Sequence, residues 1–271
     1  MRNNNSKLPV ILLVVLAVVI LVVMYFAEND IEIDFREIKE ISFRDITSME
    51  DIEKLEGKKV KILGYISPLS PYGYPYIYLT DTPYSTDVFV EGKYNSIAVY
   101  SKDGVAIGYS NHPVFVTGEI VIEEITDSQE VSYGYRIKDA VIENATIEQV
   151  DGMVKKFFML AQDDVLNDLN ELFGQMDMLV YFDEYKADEI IKEENLTKID
   201  IEKIEALKQK VQAYNDESYN TIISVLDKLN AISTELNSLL EQSKYTEFAN
   251  QKEAFEQAYY EFYYYVAEFK V

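Results

Sequence analysis

Aromatic rings are the chemistry this sequence has in quantity. Its 271 residues hold 22 tyrosines and 13 phenylalanines, but no cysteine, no tryptophan and one histidine. In Tyr72-Gly-Tyr-Pro-Tyr-Ile-Tyr78 the tyrosines alternate, and in Ala258-Tyr-Tyr-Glu-Phe-Tyr-Tyr-Tyr-Val266 they run almost unbroken. Stacked tyrosines suit bases, sugars or peptide side chains. Nucleophilic and metal chemistry have little to build on. Without cysteine there is no disulfide, thiolate metal site or thiol nucleophile. The single His112 leaves a histidine metal cluster or a Ser-His-Asp triad without material, and Ser110-Asn-His-Pro113 reads as a surface turn. There is no EF-hand calcium loop and no phosphate-cradling glycine loop. The expectation is no catalytic residue, no metal and no cofactor.

Strand geometry decides what the first cluster faces. Successive side chains of a strand point opposite ways. Tyr74, Tyr76 and Tyr78 therefore share one face, and Pro75, Ile77 and Leu79 the other. The aliphatic face suits an interior, which puts the tyrosines outside. Tyr65 and Tyr100 join them by the same parity on neighbouring strands. These five are the candidate ligand or partner surface; the competing reading packs them against the helices or residues 28–46. In the second cluster, Phe262, Tyr265 and Phe269 belong to a core stripe, while Tyr259, Tyr260, Tyr263 and Tyr264 spread onto other faces. Those four are the candidate helical contact surface, with interdomain packing as the alternative. The acid pairs Asp163-Asp164 and Glu193-Glu194 are expected on solvated helix faces.

Charge narrows the partners. The formal net charge is −23. Residues 151–271 alone carry 25 acids against 12 lysines. A phosphate backbone is held mainly by lysine and arginine, so nucleic acid is not an expected partner.

The elements that position these residues follow from hydropathy and from the placement of proline and glycine. Leu8 to Ala27 is apolar and uncharged, with Arg2 and Lys7 before it and Glu28 and Asp30 after it. Its length and flanks predict an uncleaved single-pass anchor in the cell membrane. Residues 1–7 would lie in the cytoplasm and the rest outside. Residues 28–46 alternate apolar and charged, as a stalk or short strand does. A domain over 47–150 opens with a short helix after Ser48 that ends at Gly57. Five of the six prolines fall between Pro68 and Pro113, and after Gly152 only Gly174 remains. Turn-rich chain thus gives way to turn-poor chain near Asp151.

Strands are expected at Lys59–Ile66, Tyr74–Asp81, Ser96–Ser101, Pro113–Ile122 and Gly134–Glu143, with a further extended piece at residues 86–91. Glycine lies inside the first and fourth of these, suiting bends. GKKVKILGYISP, YIYLTD, SIAVYS, PVFVTGEIVI and YGYRIKDAVIE together resemble the five strands of an OB-fold domain of the exported, tRNA-anticodon-like kind, over about residues 57–145. The resemblance implies a small bent barrel whose strands two and three carry the ligand face. It brings no family residue roles, because the basic groove residues of nucleic-acid binders are sparse here.

Residues 151–271 show apolar residues at 3-4 spacing throughout, from Leu166, Leu169 and Phe173 to Phe255, Phe262 and Phe269. Such stripes must be buried. Helices are predicted over 153–194, 199–243 and 247–269, the second interrupted near Asn215-Asp-Glu-Ser218, as an antiparallel three-helix coiled coil. The fold class expected is α+β: anchor, OB-like barrel, coiled coil. The function expected is a membrane-anchored, extracytoplasmic binding or scaffold protein, not an enzyme, with a protein partner or self-association through the coiled coil. The alternatives are an envelope hydrolase using paired carboxylates and a single-strand nucleic-acid binder.

Overall fold

The computed structural model describes residues 37–271. Residues 38–271 form one compact unit of sheet and helices. The six strands are β1 (Lys39–Ile41), β2 (Lys59–Ile66), β3 (Tyr76–Thr80), β4 (Ser96–Ser101), β5 (Val114–Thr126) and β6 (Ser132–Asn144). They lie in the order β1-β2-β3-β4-β6-β5, and β2 pairs a second time with β5, from Lys59 opposite Glu119 to Gly64 opposite Val114. β1 runs parallel to β2, and β4 parallel to β6; the other pairs are antiparallel.

This six-stranded mixed sheet replaces the expected five-stranded OB-like barrel. The additional strand comes from the stretch expected as stalk or short strand, where Ile41 is buried beside Ile62 on β2. Residues 86–91 form no strand, since Phe89 takes a left-handed φ of 53° that breaks extended pairing. The glycines inside β2 and β5 answer to close packing. A Cβ on Gly64 would stand 2.6 Å from Leu79, and one on Gly118 would stand 2.7 Å from the Lys138 carbonyl oxygen. The short helix α1 (Met49–Glu53) follows Ser48, whose hydroxyl accepts the Asp51 amide.

The helices are α2 (Gly152–Gln162), α3 (Val165–Val180), α4 (Phe182–Ala187), α5 (Ile201–Gln212), α6 (Asn220–Glu241) and α7 (Lys252–Val266). They start at Gly152, where the composition changes. The three long coiled-coil helices expected are instead these shorter pieces. Asp164, at a left-handed φ of 58°, separates α2 from α3, and Tyr181 separates α3 from α4. The interruption predicted near Asn215 is present between α5 and α6, with a short 3-10 turn at Glu217–Tyr219. Among the described residues no helix is long and apolar enough to cross a membrane, so the transmembrane, single-pass architecture finds no support in them. The expected span Leu8–Ala27 lies outside the described residues.

Sheet and helices share a seam. The Tyr65 hydroxyl on β2 donates to the Phe269 carbonyl at 2.8 Å, and the Tyr65 ring meets Phe157 of α2 edge-on at 5.0 Å. Asp81, just past β3, is buried and pairs with Lys270 at 2.5 Å, while its carbonyl accepts the Val271 amide. Seam residues Tyr65, Phe157 and Phe269 are continuous with the helical core. The sheet has its own aliphatic core around Val60, Ile62, Leu79, Ile97 and Val116.

Candidate functional site

The tyrosines of the sheet are packed rather than free. Tyr76 and Tyr78 do lie on the face opposite Ile77 and Leu79, as their parity requires, for the two sets fall in separate clusters. That face is covered. Phe89 stacks on Tyr133 at 4.8 Å and meets Tyr78 edge-on at 5.7 Å. The Tyr76 ring stacks on Tyr100 at 5.0 Å, and the Arg136 guanidinium sits 4.8 Å from the Tyr100 centroid. Tyr76 also shares a hydrogen bond with Ser128 at 2.9 Å, and Tyr100 with Tyr133. The loop after β3 and the long β5–β6 hairpin thus close what was expected to be an open surface. Tyr65 is spent in the seam, where burial pushes its hydroxyl pKa up. Of the five candidates, only Tyr74 is exposed.

The C-terminal tyrosines are where the structure leaves aromatic surface open. α7 buries Phe255, Ala258, Phe262 and Tyr265, which recur every three or four residues and so share one side. Tyr259, Tyr260, Tyr263 and Tyr264 fall off that stripe and are 43%, 53%, 41% and 67% exposed. Their rings touch in series: Tyr259 to Tyr260 at 5.9 Å, Tyr260 to Tyr264 at 6.4 Å and Tyr264 to Tyr263 at 6.0 Å. Tyr259 and Tyr263 face the Thr82–Asp87 loop of the sheet part across a cleft.

Two clefts border this ridge. The first, of about 560 Å³, lies between the loop carrying Thr82–Asp87 and the Tyr259, Tyr263 and Lys270 side of the C-terminal chain. One buried polar atom on its wall, Asn95 Oδ1, has no hydrogen-bond partner among the described residues. The second, of about 490 Å³, lies between α3 and α7. Phe173, Tyr181, Phe255, Tyr259 and Tyr260 supply rings to it, and Asp177 and Glu256 supply acids. Glu256 accepts the Tyr181 hydroxyl at 2.7 Å, and Asp177 accepts that of Tyr185. Burial, and then the hydrogen bond to Glu256, push the Tyr181 pKa up. Lys252 lies 4.2 Å from the Tyr181 centroid and pairs with Glu184. Tyr259 and Asn170 line both clefts.

The remaining expectations fall elsewhere. His112 packs against Phe158 at 4.9 Å, with its Nδ1 buried and unpartnered among the described residues, so it is more enclosed than a surface turn requires. Asp163 and Asp164 mark the break between α2 and α3, where Tyr214 donates to the Asp163 carboxylate at 2.6 Å. Glu193 and Glu194 lie exposed in a 3-10 turn. Among the described residues no group of three His, Cys, Asp or Glu could hold a metal ion. The second cleft escaped the sequence reading, since its acids look like any others on α3 and α7. One signal was visible: Gly174, the last glycine in the chain, lies on its wall.

Fold and site define an α+β protein whose C-terminal helix carries an open tyrosine ridge between two clefts. No protein-family profile matches the chain, and comparison with curated proteins finds no match. Among solved structures, a crystal structure of a DUF3299 family protein from Pseudomonas aeruginosa is similar over 43% of this chain and 99% of that one, at 15% identity and a TM-score of 0.30. At that score the likeness carries no argument about fold or function.

Proposed function

We propose that the chain is a non-catalytic binding or scaffold module whose protein partner docks a basic segment on Tyr259, Tyr260, Tyr263 and Tyr264. The observation that carries this reading is the exposure of four contiguous tyrosine rings on a helix whose opposite side is core. A tyrosine at an interface buries its ring and keeps a hydroxyl for hydrogen bonding, and contact cores are enriched in aromatic residues. The basic character of the partner follows from the surplus of acids in residues 151–271 and from the complementarity that steers association. The test is titration of a fluorescent lysine- and arginine-rich peptide into the full chain and into Tyr263→Ala/Tyr264→Ala. Binding weakened about tenfold or more by the variant is the expected result, in line with aromatic hot spots. Equal binding by both proteins overturns it.

A second reading, a hydrolase working with paired carboxylates, is supported by one observation: Asp177 and Glu256 line the same cleft. It predicts turnover of some aryl glycoside that Glu256→Gln abolishes. Absence of turnover across a broad glycoside panel removes it.

A further inference from the structure

We infer that the cleft between α3 and α7 is a binding site for an alkylammonium cation. The inference rests on the binding-module reading and names the chemistry of one of its sites. Three features of the cleft converge on it.

The first is the arrangement of rings. Tyr259 meets Phe173 at 5.4 Å and 88°, and Phe255 meets Tyr181 at 6.4 Å and 78°. Phe173 and Phe255, each 4% exposed, form the packed floor of these contacts, while Tyr259 and Tyr260, 43% and 53% exposed, leave aromatic surface open beside the cleft. Aromatic faces carry the negative part of the ring quadrupole, and aromatic cages take quaternary ammonium groups. Lys252 already lies over one face of Tyr181 at the border, so the aromatic surface left for a ligand is mainly that of Tyr259 and Tyr260.

The second is unbalanced charge. Asp177 and Glu256 line the cleft, and no lysine, arginine or histidine does. Each acid accepts a tyrosine hydroxyl, and among the described residues neither has a cationic partner. A neutral hydroxyl donor leaves the carboxylate charge uncancelled. An organic cation of low hydration matches rings plus two acids better than a bare metal ion, which would ask for more oxygen ligands than two carboxylates.

The third is Gly174. Glycine inside a helix costs about 1 kcal/mol relative to alanine. Packing does not demand it, because a Cβ at 174 would meet nothing within 4 Å. What the missing side chain leaves is open space on the cleft wall.

The experiment is calorimetric titration of the full chain with choline, with 3,3-dimethylbutan-1-ol as the uncharged isostere, and with a trimethyl-lysine peptide. Choline is expected to bind saturably, and the isostere at least about tenfold more weakly, as a loss near the upper cation–π value implies. Gly174→Leu is expected to abolish choline binding while raising or leaving unchanged the thermal midpoint, since leucine favours the helix. Glu256→Gln is expected to weaken it severalfold and to flatten its salt dependence. Tighter binding of the peptide than of choline assigns the cation to a partner's side chain; the reverse assigns it to a free amine. No saturable choline binding, equal binding of the isostere, or unchanged binding by Gly174→Leu overturns the inference. Tyr263 and Tyr264 do not line this cleft, so loss of the cation site with peptide docking intact separates this failure from that of the docking face.

Discussion

Tyr78 and Tyr65 are both buried tyrosines of the sheet, yet their hydroxyls are treated differently. The Tyr65 hydroxyl donates to the Phe269 carbonyl, whereas the Tyr78 hydroxyl is buried without a partner among the described residues. A made hydrogen bond contributes about 1 kcal/mol, and an unmade buried one costs a comparable amount. Tyr65→Phe should therefore destabilise by about 1 kcal/mol, and Tyr78→Phe should be neutral or stabilising by up to about 1 kcal/mol. Urea midpoints of the two variants check the contrast; a loss at Tyr78 equal to that at Tyr65 would refute it. Which tyrosines share a face was legible from the alternation along 74–78. Whether that face meets water was not. Its cover arrives from Phe89 and Tyr133, distant in sequence, and Phe89 reaches it through a left-handed backbone that its own side chain does not advertise. For the C-terminal tyrosines, the 3-4 spacing of Phe255, Ala258, Phe262 and Tyr265 marked which side is core, and Tyr259, Tyr260, Tyr263 and Tyr264 fall off it.

At the scale of elements, local signals gave the starts and tertiary contacts gave the stops. Ser48 before α1 and the change of composition at Gly152 both mark where helices begin. The break at Asp163-Asp164 was read as continuous helix. Its reason is tertiary: Tyr214 and Lys210 of the α5 region bond the Asp163 carboxylate and carbonyl. Likewise β1 is too short to declare itself and exists because β2 offers it an edge. Two predictions belong here. Hydrogen bonds from the Ser48 and Thr47 side chains, with further help from Lys54, hold the Asp51 pKa at about 2, below its model-compound 3.8. A carboxylate whose pKa is lower in the folded state stabilises above the unfolded value and loses that contribution as pH falls through the folded one. The stability difference between the wild type and Asp51→Asn should thus be constant above pH about 4 and shrink toward pH 2, as read by urea unfolding across that window. The other concerns β5: Gly118→Val forces a side chain onto Ile137 and the Lys138 carbonyl and should cost about 3 kcal/mol. A thermal midpoint equal to the wild type's would contradict that packing.

For the whole molecule, the seam between sheet and helices is the decisive join, and Phe269 sits within it. Phe269 is fully buried against Phe157 and Tyr265 and receives the Tyr65 hydroxyl on its carbonyl. Phe269→Ala should cost about 3–5 kcal/mol. It should also broaden the single calorimetric transition, because the sheet and helices keep separate cores once the seam is weakened. A sharp transition with an unchanged midpoint would show that the join is held elsewhere. The sequence offered Tyr65 packed against the helices only as the competing reading, and its partners Phe157 and Phe269 could not be named, since they lie in the other half of the chain. The same closeness has a consequence at the ridge. Tyr259 is a wall of both clefts, so any ring movement that one occupant required would reach the other cleft as well. Two ligands that meet on a shared wall are thermodynamically linked: by whatever factor the first alters the affinity of the second, the second alters that of the first.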